Sequence, residues 1–490
     1  MGRRMSRRLA LQASVAAAGV FAFSVDDARA LTPTPTWGRV NGKLFRRNLY
    51  SLSVPPAENL PYNLPTSTPL ARDVDYIDEN GVTRTMVNGA LHYNPVSIAQ
   101  YSLERLNSFR LLGDRVHLQA AMANVNYLIG MAKPFREALY LPYDYDYDLH
   151  QWHKYYMRAT WWSGMAQGQA LSATIRLWEI TRDRKYLDFS RGLYASFIQW
   201  PDASLPWTVS VGADDQCYWV EEYPRNDGSC LALNGHNFGT YGLWDFWRVT
   251  GSTQAMYLIQ GALTATESHV ASYIRNPGRP SYYCNHLDFR ATRYHKIHID
   301  QAYMYYGITG ATSLAQMGDL LLSDFPTSFD ANRAIVNPGK YRACQFNIDT
   351  GEMLSSREIT VTARESWPVG GVSRRRSMRG QRGVWIELAK GALSGYWVEE
   401  SPSTAFVPYF VDRHKFGRPR RIEFQPGTYT GYKLAEPRGE VLSRSKYVLP
   451  RLSAAHSDQR AVVDGQPYFH VVDGLWSDRW IPVQPGVTII

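Results

Sequence analysis

Outside its first thirty positions the 490-residue chain has no run of eighteen uncharged apolar residues. A helix needs about 20 such residues to cross a bilayer, so a polytopic membrane protein is excluded. Cysteine is scarce: Cys217, Cys230, Cys284 and Cys344 are the only four, and no two are spaced Cys-x-x-Cys. A structural zinc knot is therefore not expected. Also missing are a strand followed by Gly-x-Gly-x-x-Gly, a phosphate-cradling Gly-x-x-x-x-Gly-Lys-Ser/Thr loop, Gly-x-Ser-x-Gly and His-Glu-x-x-His. Their absence removes dinucleotide oxidoreductases, NTPases, typical esterases and zincins. Two His-x-x-His pairs occur, His150 with His153 and His295 with His298, the latter followed by Asp300. Neither has a third ligand that spacing identifies, so neither metal nor any other cofactor is expected.

What the chain has in excess is aromatic surface. The 32 tyrosines and 15 tryptophans exceed what a core requires, and amphipathic rings are how proteins stack on sugars. Arg3, Arg4, Arg7 and Arg8 precede an apolar stretch from Leu9 to Phe23, and Ala28-Arg29-Ala30 supplies a small-residue cleavage site. Residues 1–30 thus read as a signal peptide, with Ser6-Arg7-Arg8-Leu9-Ala10-Leu11 similar to the twin-arginine export motif. An exported, secreted or cell-surface protein is expected. Charge is uneven: residues 31–339 hold 26 basic and 27 acidic side chains, whereas 340–490 hold 22 against 15. The cluster Arg374, Arg375, Arg376, Arg379 and Arg382 suits an anionic glycan or cell-wall polymer rather than nucleic acid, or is simply a soluble basic surface.

Four segments share a pattern of aromatic-rich helix, polar turn and second helix, turning at Gly113, Arg182, Gly251 and Gly310. The first three turns are 69 residues apart and the fourth follows after 59. Ile98, Tyr101, Leu106 and Phe109 make one buried stripe, and Ala173, Leu177 and Ile180 another. Such hairpins predict a mainly α fold, an α/α toroid over 91–335, preceded by an extended or β segment over 31–90. Long segments between hairpins, Tyr140 to Trp162 and Trp207 to Asn234, are where a site would lie. In Tyr143-Asp144-Tyr145-Asp146-Tyr147-Asp148 a strand would put three tyrosines on one face and three aspartates on the other, as a groove wall or as an ordinary hairpin. After Pro338 helical period gives way to short alternating runs. Gly351-Glu352-Met353-Leu354-Ser355 recurs as Gly439-Glu440-Val441-Leu442-Ser443, and Lys390 to Val398 recurs as Asp473 to Ile481. A C-terminal all-β region of two small SH3-like barrels, 340–420 and 421–490, is expected to bind glycan or wall.

Three blocks are denser in polar and aromatic residues than a helical core needs: Trp161 to Ser172, Trp219 to Pro224 with Leu233-Asn234-Gly235, and Ser281 to Gln301. Small residues in the first allow close helix packing, and Gln167 and Gln169 suit either helix hydrogen bonding or a sugar. Together with Tyr93-Asn94-Pro95 and Ile98-Ala99-Gln100-Tyr101, these blocks resemble, in order and over roughly 90–325, the D-glucuronyl C5-epimerase family. The resemblance implies an α/α-toroid that inverts C5 of D-glucuronate within a polysaccharide to give L-iduronate. Animal members carry a β-barrel domain ahead of the toroid, whereas here a basic β pair follows it.

The chemistry agrees with that implication. The C5 hydrogen lies α to a carboxylate, so its removal creates an enediolate that needs charge stabilisation, and inversion needs a donor on the opposite face. Tyrosine can serve where nearby cations or hydrogen bonds lower its pKa. By motif the roles carry over to Tyr223, to Tyr294, and to Tyr283 or its neighbour Tyr282, with Glu222 orienting a tyrosine. Substrate contacts are expected from Gln167, Asn234, Arg290, Arg293, His295 and His298. Asn285 or His286 stands where animal members have an arginine, and Arg290, Arg293 or His298 is expected to hold the uronate carboxylate instead. The same enediolate could expel the 4-O substituent, as in a lyase. Glu221, Glu222, Asp214 and Asp215 could nominally serve a hydrolase, and a non-catalytic glycan-binding protein is the third alternative.

Overall fold

The computed structural model describes residues 36–490 except 69, 71–75, 150–154, 203–205, 227, 286–291, 326–332, 364, 369–374, 377, 379, 384, 390–392, 402–404, 407–409 and 436–438, with 464–465. The expected export segment, His150, His153, His286, Arg290, Arg374 and Arg379 lie outside the described residues.

Among the described residues eight α-helices form four antiparallel hairpins. These are α1 (Pro95–Leu112) with α2 (Arg115–Met131), α3 (Gly164–Thr181) with α4 (Arg184–Ala195), α5 (Leu233–Thr250) with α6 (Thr253–His269), and α7 (Thr292–Thr309) with α8 (Thr312–Asp324). The turns read from the sequence are the helix boundaries. α1, α3 and α5 end on left-handed residues at Gly113, Arg182 and Gly251, and Asp114, Asp183 and Ser252 then cap the next helix with side-chain oxygens. A carboxylate or hydroxyl there satisfies N–H groups that the helix itself leaves unpaired.

The odd-numbered helices pack in sequence, α1 on α3, α3 on α5 and α5 on α7. α3 is buried on every side from Gly164 to Leu177. Its contact with α5 runs backbone to backbone, since a Cβ on Gly168 would lie 2.3 Å from the Gly239 Cα and one on Gly242 would lie 2.2 Å from the Gly168 carbonyl oxygen. The small residues of the first block therefore serve packing. Ile180, expected in the second buried stripe, is exposed at the end of α3.

The C-terminal region is all β, and most of its described strands fall into a five-stranded and a seven-stranded sheet. A five-stranded sheet has Met353–Val361 at one edge, then Gly339–Phe346, Trp397–Glu399, Trp385–Glu387 and Arg375–Arg376. A seven-stranded sheet runs Glu440–Leu449, Gly427–Ala435, Arg479–Pro482, Gln466–Val471, Ser453–Val463, Phe410–Phe424 and Val487–Ile489. The internal repeat is visible as equivalent pairings, Trp397 opposite Cys344 in one sheet and Trp480 opposite Tyr432 in the other.

Strand Phe410–Phe424 crosses the expected boundary at 420 and packs against α7. Phe416, Ile422 and Phe424 share one apolar core with Ile299, Tyr303 and Leu321 of the helices. Ion pairs reinforce the junction: Arg420 grips Asp319 with both terminal nitrogens at 2.8 and 2.7 Å, and buried His414 lies between Asp300 (2.6 Å) and Asp412 (2.9 Å).

Candidate active site

The sequence before α5 is pinned from several sides, and this fixes the Glu221-Glu222-Tyr223 element. Strand Val209–Val211 pairs with Tyr218–Val220. The Val220 N–H donates to His236 Nδ1 (2.9 Å), whose other nitrogen donates to the Ala262 carbonyl (3.0 Å). The Glu221 N–H donates to the Thr208 carbonyl (2.8 Å), and the Glu221 carbonyl accepts the Gly164 N–H at the start of α3 (2.7 Å). Glu221 accepts a hydrogen bond from Ser210 (3.0 Å). Glu222 lies on the first turn of α5, against Gly235, where an added Cβ would stand 2.2 Å from Glu222 Oε2 and 2.6 Å from its Cβ. Only glycine leaves room for the carboxylate there.

On Glu222 the tyrosines gather. Tyr283 donates its hydroxyl to Glu222 Oε2 (3.1 Å) and lies 3.4 Å from the Tyr223 hydroxyl. The Tyr283 and Tyr294 rings are 4.5 Å apart, and Tyr223 stacks with Tyr147 at 6.1 Å. Of the two adjacent tyrosines, Tyr283 is thus a member of the cluster. Glu222 and Tyr223 line a cavity of about 400 Å³ with Asn94, Ser163, Tyr143, Tyr145, Tyr147 and Trp161. Tyr283 and Tyr294 do not line this cavity.

The 143–148 ribbon takes the two-faced form that its alternation allows. Tyr143, Tyr145 and Tyr147 face the cavity. On the other face Asp146 accepts from the Tyr156 hydroxyl (2.9 Å) and the Ala159 N–H (2.8 Å), and Asp144 accepts from Thr160 (3.1 Å). The groove-wall alternative is the one that fits, although only Tyr147–Asp148 is a regular strand.

Burial decides the protonation states. Glu222 is pushed up to about 7 by desolvation, opposed by hydrogen bonds from Tyr223 and Tyr283. Glu221 is likewise pushed up to about 7 by burial. Tyr223 and Tyr283 are held well above the ordinary tyrosine range, first by burial and then by the Glu222 charge, and Tyr294 is raised for the same two reasons. The expected cation-lowered tyrosine is thus reversed in sign. At neutral pH these side chains are O–H donors, and of the groups pushed up to about 7, Glu221 and Glu222, it is Glu222 that touches the tyrosines.

The cavity also sits where helices begin. Asn94 caps α1 and Ser163 caps α3. Two helix N-termini thus reach the cavity wall, with the start of α5 behind Glu222, and their partial positive charge favours an anion there.

The expected substrate contacts divide. Gln167 is fully engaged, donating to the Leu139 carbonyl (2.7 Å) and the Ser196 hydroxyl (2.9 Å) and accepting from the Leu141 N–H (2.9 Å), so it is a packing residue. His295 is also structural: its Nδ1 accepts the Ser281 N–H (2.9 Å) and its Nε2 reaches the Phe325 carbonyl (2.9 Å). His298 contacts the Ser281 hydroxyl (2.9 Å), and burial lowers its pKa to about 3, so it is neutral and supplies no charge for a carboxylate. Its Nε2, like Asn234 Oδ1, is buried without a hydrogen-bond partner among the described residues. Arg293 is exposed at the start of α7, and Asn285 is exposed beside Tyr283 and Cys284.

Cys217 and Cys230 do not face each other. Cys217 accompanies Asp215 and His269, and Cys230 hydrogen-bonds Cys284. Asp215, Cys217 and His269 place donor atoms within 4.8 Å of one another, a grouping that His-x-x-His spacing could not reveal. The His269 imidazole is already hydrogen-bonded to Asp215 (2.8 Å), and Arg46 lies close enough to act on the Cys217 thiol.

A model of the family described as D-glucuronyl C5-epimerase C-terminus matches residues 137–319, the stretch holding every described member of the tyrosine cluster. The match supports the resemblance and an epimerase-type, carbohydrate-active enzyme. No described helix is long and apolar enough to cross a membrane. Among solved structures, a cellobiose 2-epimerase from Bacillus thermoamylovorans aligns at TM-score 0.35 and 13% identity, over 60% of this chain and 73% of the other. An unsaturated glucuronyl hydrolase from Streptococcus agalactiae aligns at TM-score 0.32 and 14% identity, over 46% and 57%. A GH76 alpha-mannanase from Bacteroides thetaiotaomicron aligns at TM-score 0.33 and 11% identity, over 49% and 63%. The chain thus spans less than two thirds of the length of these last two.

Proposed function

We propose that this chain is a polysaccharide D-glucuronyl C5-epimerase, in which Glu222 and its tyrosines exchange the C5 proton. The observation that carries this reading is a carboxyl group titrating near 7, in contact with a tyrosine hydroxyl at 3.1 Å and forming part of an aromatic cavity. A base for a carbon acid works best when its pKa lies near the working pH, and buried Glu222 meets that condition where a tyrosinate would not. Glu222 removes the C5 hydrogen directly or through the Tyr223 hydroxyl, and a neutral tyrosine returns a proton to the opposite face. The helix N-termini at Asn94, Ser163 and Gly235 offset the negative charge of the uronate and of its enediolate. That supplies electrostatic stabilisation which the neutral His298 does not.

A hydrolase is disfavoured because the second glutamate does not face the first: Glu221 turns to Ser210, while Glu222 turns to Tyr283. We further propose export by the twin-arginine route, on the N-terminal motif, and retention on an acidic glycan or wall polymer through the basic residues beyond 340. Incubation with a glucuronate polymer in deuterated water tests the central reading. C5 deuterium with iduronate formation is expected. Unsaturated uronate would indicate a lyase, and chain cleavage without unsaturation a hydrolase.

A further inference from the structure

A trio of metal-ligand side chains gathers away from the Glu222 cavity. Asp215 and Cys217 stand just before strand Tyr218–Val220, and His269 is the last residue of α6. Cys217 and His269 are buried and Asp215 is half-buried. Their donor atoms lie within 4.8 Å of one another, with His269 Nε2 2.8 Å from Asp215 Oδ2. Tetrahedral zinc bonds nitrogen and oxygen at about 2.0 Å and sulfur at about 2.3 Å, which sets its ligands about 3.3–3.5 Å apart. Side-chain shifts of about 1 Å therefore close this trio on one ion.

Local structure holds the three in place. Gln216, between the two loop ligands, takes a left-handed backbone conformation (φ 54°), which side-chain-bearing residues adopt rarely. Asp215 Oδ1 accepts the Cys217 N–H (2.9 Å) and packs on Gly212, where an added Cβ would stand 2.2 Å from it. That leaves Oδ2 turned to His269. The Trp219 ring stacks on His269 at 4.6 Å and fixes the plane of the imidazole.

Charge points the same way. Burial opposes ionisation of Asp215, but the Cys217 N–H and His269 outweigh it and hold the carboxyl below its ordinary value. The Cys217 thiol is pushed up to about 12, by burial and then by the Asp215 charge, against the pull of Arg46. Arg46 Nε is itself buried without a hydrogen-bond partner among the described residues. A thiolate at Cys217 would offset that guanidinium. Thiol and imidazole ligands disfavour calcium and magnesium, which take oxygen, and suit zinc.

We propose that Asp215, Cys217 and His269 bind one zinc-class divalent ion, with water in the fourth position on the half-exposed Asp215 side. Binding releases the Cys217 thiol proton to solvent, and the His269 proton moves from Nε2 to Nδ1 so that Nε2 can bond the ion. None of the three ligands lines the cavity at Glu222. The ion is a staple rather than a participant in proton exchange: it ties the end of α6 to the strand that runs into Glu221-Glu222-Tyr223.

The test uses the full chain, stripped with a chelator and titrated with cobalt and then zinc. One equivalent of cobalt should bind with the strong visible bands of tetrahedral coordination and a near-ultraviolet thiolate-to-cobalt band. One equivalent of zinc should displace it and raise the melting temperature, by about 5 °C at a hundredfold excess over the dissociation constant. Cys217→Ser should abolish the thiolate band. Cys217→Ser, His269→Gln and Asp215→Asn should each weaken zinc binding at least about tenfold, whereas Cys344→Ser should leave band and affinity unchanged. X-ray absorption at the zinc edge of the parent protein needs no variant to fold, and should show one sulfur at about 2.3 Å with lighter ligands at about 2.0 Å. Two sulfurs would move the ion to Cys230 and Cys284 and overturn the site. So would unchanged zinc affinity in Cys217→Ser, no binding at micromolar zinc, or an equal rise in melting temperature with calcium or magnesium.

Discussion

Replacing Gly235 by alanine tests the placement of Glu222 without touching any hydroxyl or carboxylate. The new methyl would meet Glu222 Oε2 at 2.2 Å, its Cβ at 2.6 Å and its Cδ at 2.7 Å. Because the Cβ is among the atoms met, rotating the end of the glutamate cannot relieve the clash, and the backbone around Glu222 or the first turn of α5 must move. Overpacking of this kind costs about 1–3 kcal/mol. Alanine returns about 1 kcal/mol through its better helix propensity, so the net loss is about 0–2 kcal/mol and the protein should still fold cooperatively. Catalysis is more sensitive, since a displacement of about 1 Å in a positioned group can cost about a hundredfold. The expected result is a small fall in melting temperature with C5 deuterium incorporation down about a hundredfold. A variant that melts like the parent and exchanges C5 at the parent rate would show that Glu222 need not touch Tyr283.

Glu222, with its pKa raised to about 7, should make activity rise as pH passes through neutrality. Raised carboxyl pKa values act on stability in the opposite sense: the contributions of Glu221 and Glu222 are full below about 4.5, the ordinary glutamate value, and are lost as pH climbs towards 7. Glu222→Gln should abolish exchange and remove part of that fall in melting temperature; a variant whose melting still falls as steeply would contradict the burial argument. Tyr283→Phe removes a hydrogen bond that lowers the Glu222 pKa, so besides losing activity about a hundredfold its residual rate should rise at a higher pH than in the parent, and an unshifted profile would count against the contact. Tyr223→Phe and Tyr294→Phe should each lower inversion by a similar factor, and parent-like rates in both would remove the tyrosines from the mechanism. A chain ending at residue 338 loses Phe416, Ile422 and Phe424 from the core around Ile299 and Tyr303, and with them His414 and Arg420, which pair with Asp300 and Asp319. It should lack a cooperative melting transition, whereas a truncated protein that melts sharply and turns over short oligosaccharides would show that the helical hairpins stand alone.

The helical part was legible because each hairpin is specified locally. A left-handed stop, a capping oxygen and a fixed spacing carry their meaning within a few residues, and Gly113-Asp114, Arg182-Asp183 and Gly251-Ser252 fold as written. The β repeat was legible for the same reason up to the hairpin, since Gly339–Phe346 with Met353–Val361 matches Gly427–Ala435 with Glu440–Leu449. The long-range pairing was not, because it depends on which distant strands meet. Strand Phe410–Phe424 pairs with Ser453–Val463 and Val487–Ile489 and lies along α7.

At the site, the residue types were readable and their electrostatics were not. Glu222, Tyr223, Tyr283 and Tyr294 stand out as motif members, but whether a tyrosine there is acidic or inert depends on burial, and burial is a property of what packs around it from other segments. Tyr223 and Tyr283 are 60 positions apart in sequence and share one carboxylate only because His236 pins the preceding strand and Gly235 opens a space on α5. The same indifference of sequence to packing explains Gln167 and His295: polar side chains in buried helices must satisfy their hydrogen bonds, and these find backbone partners before any ligand arrives. His298 Nε2 and Asn234 Oδ1 are the opposite case, buried atoms on α7 and α5 with no hydrogen-bond partner among the described residues. If they serve only packing, His298→Phe and Asn234→Leu should leave activity intact and cost little stability. If either atom meets the uronate, the corresponding variant should raise KM for the polymer while the Glu222 pH profile stays in place.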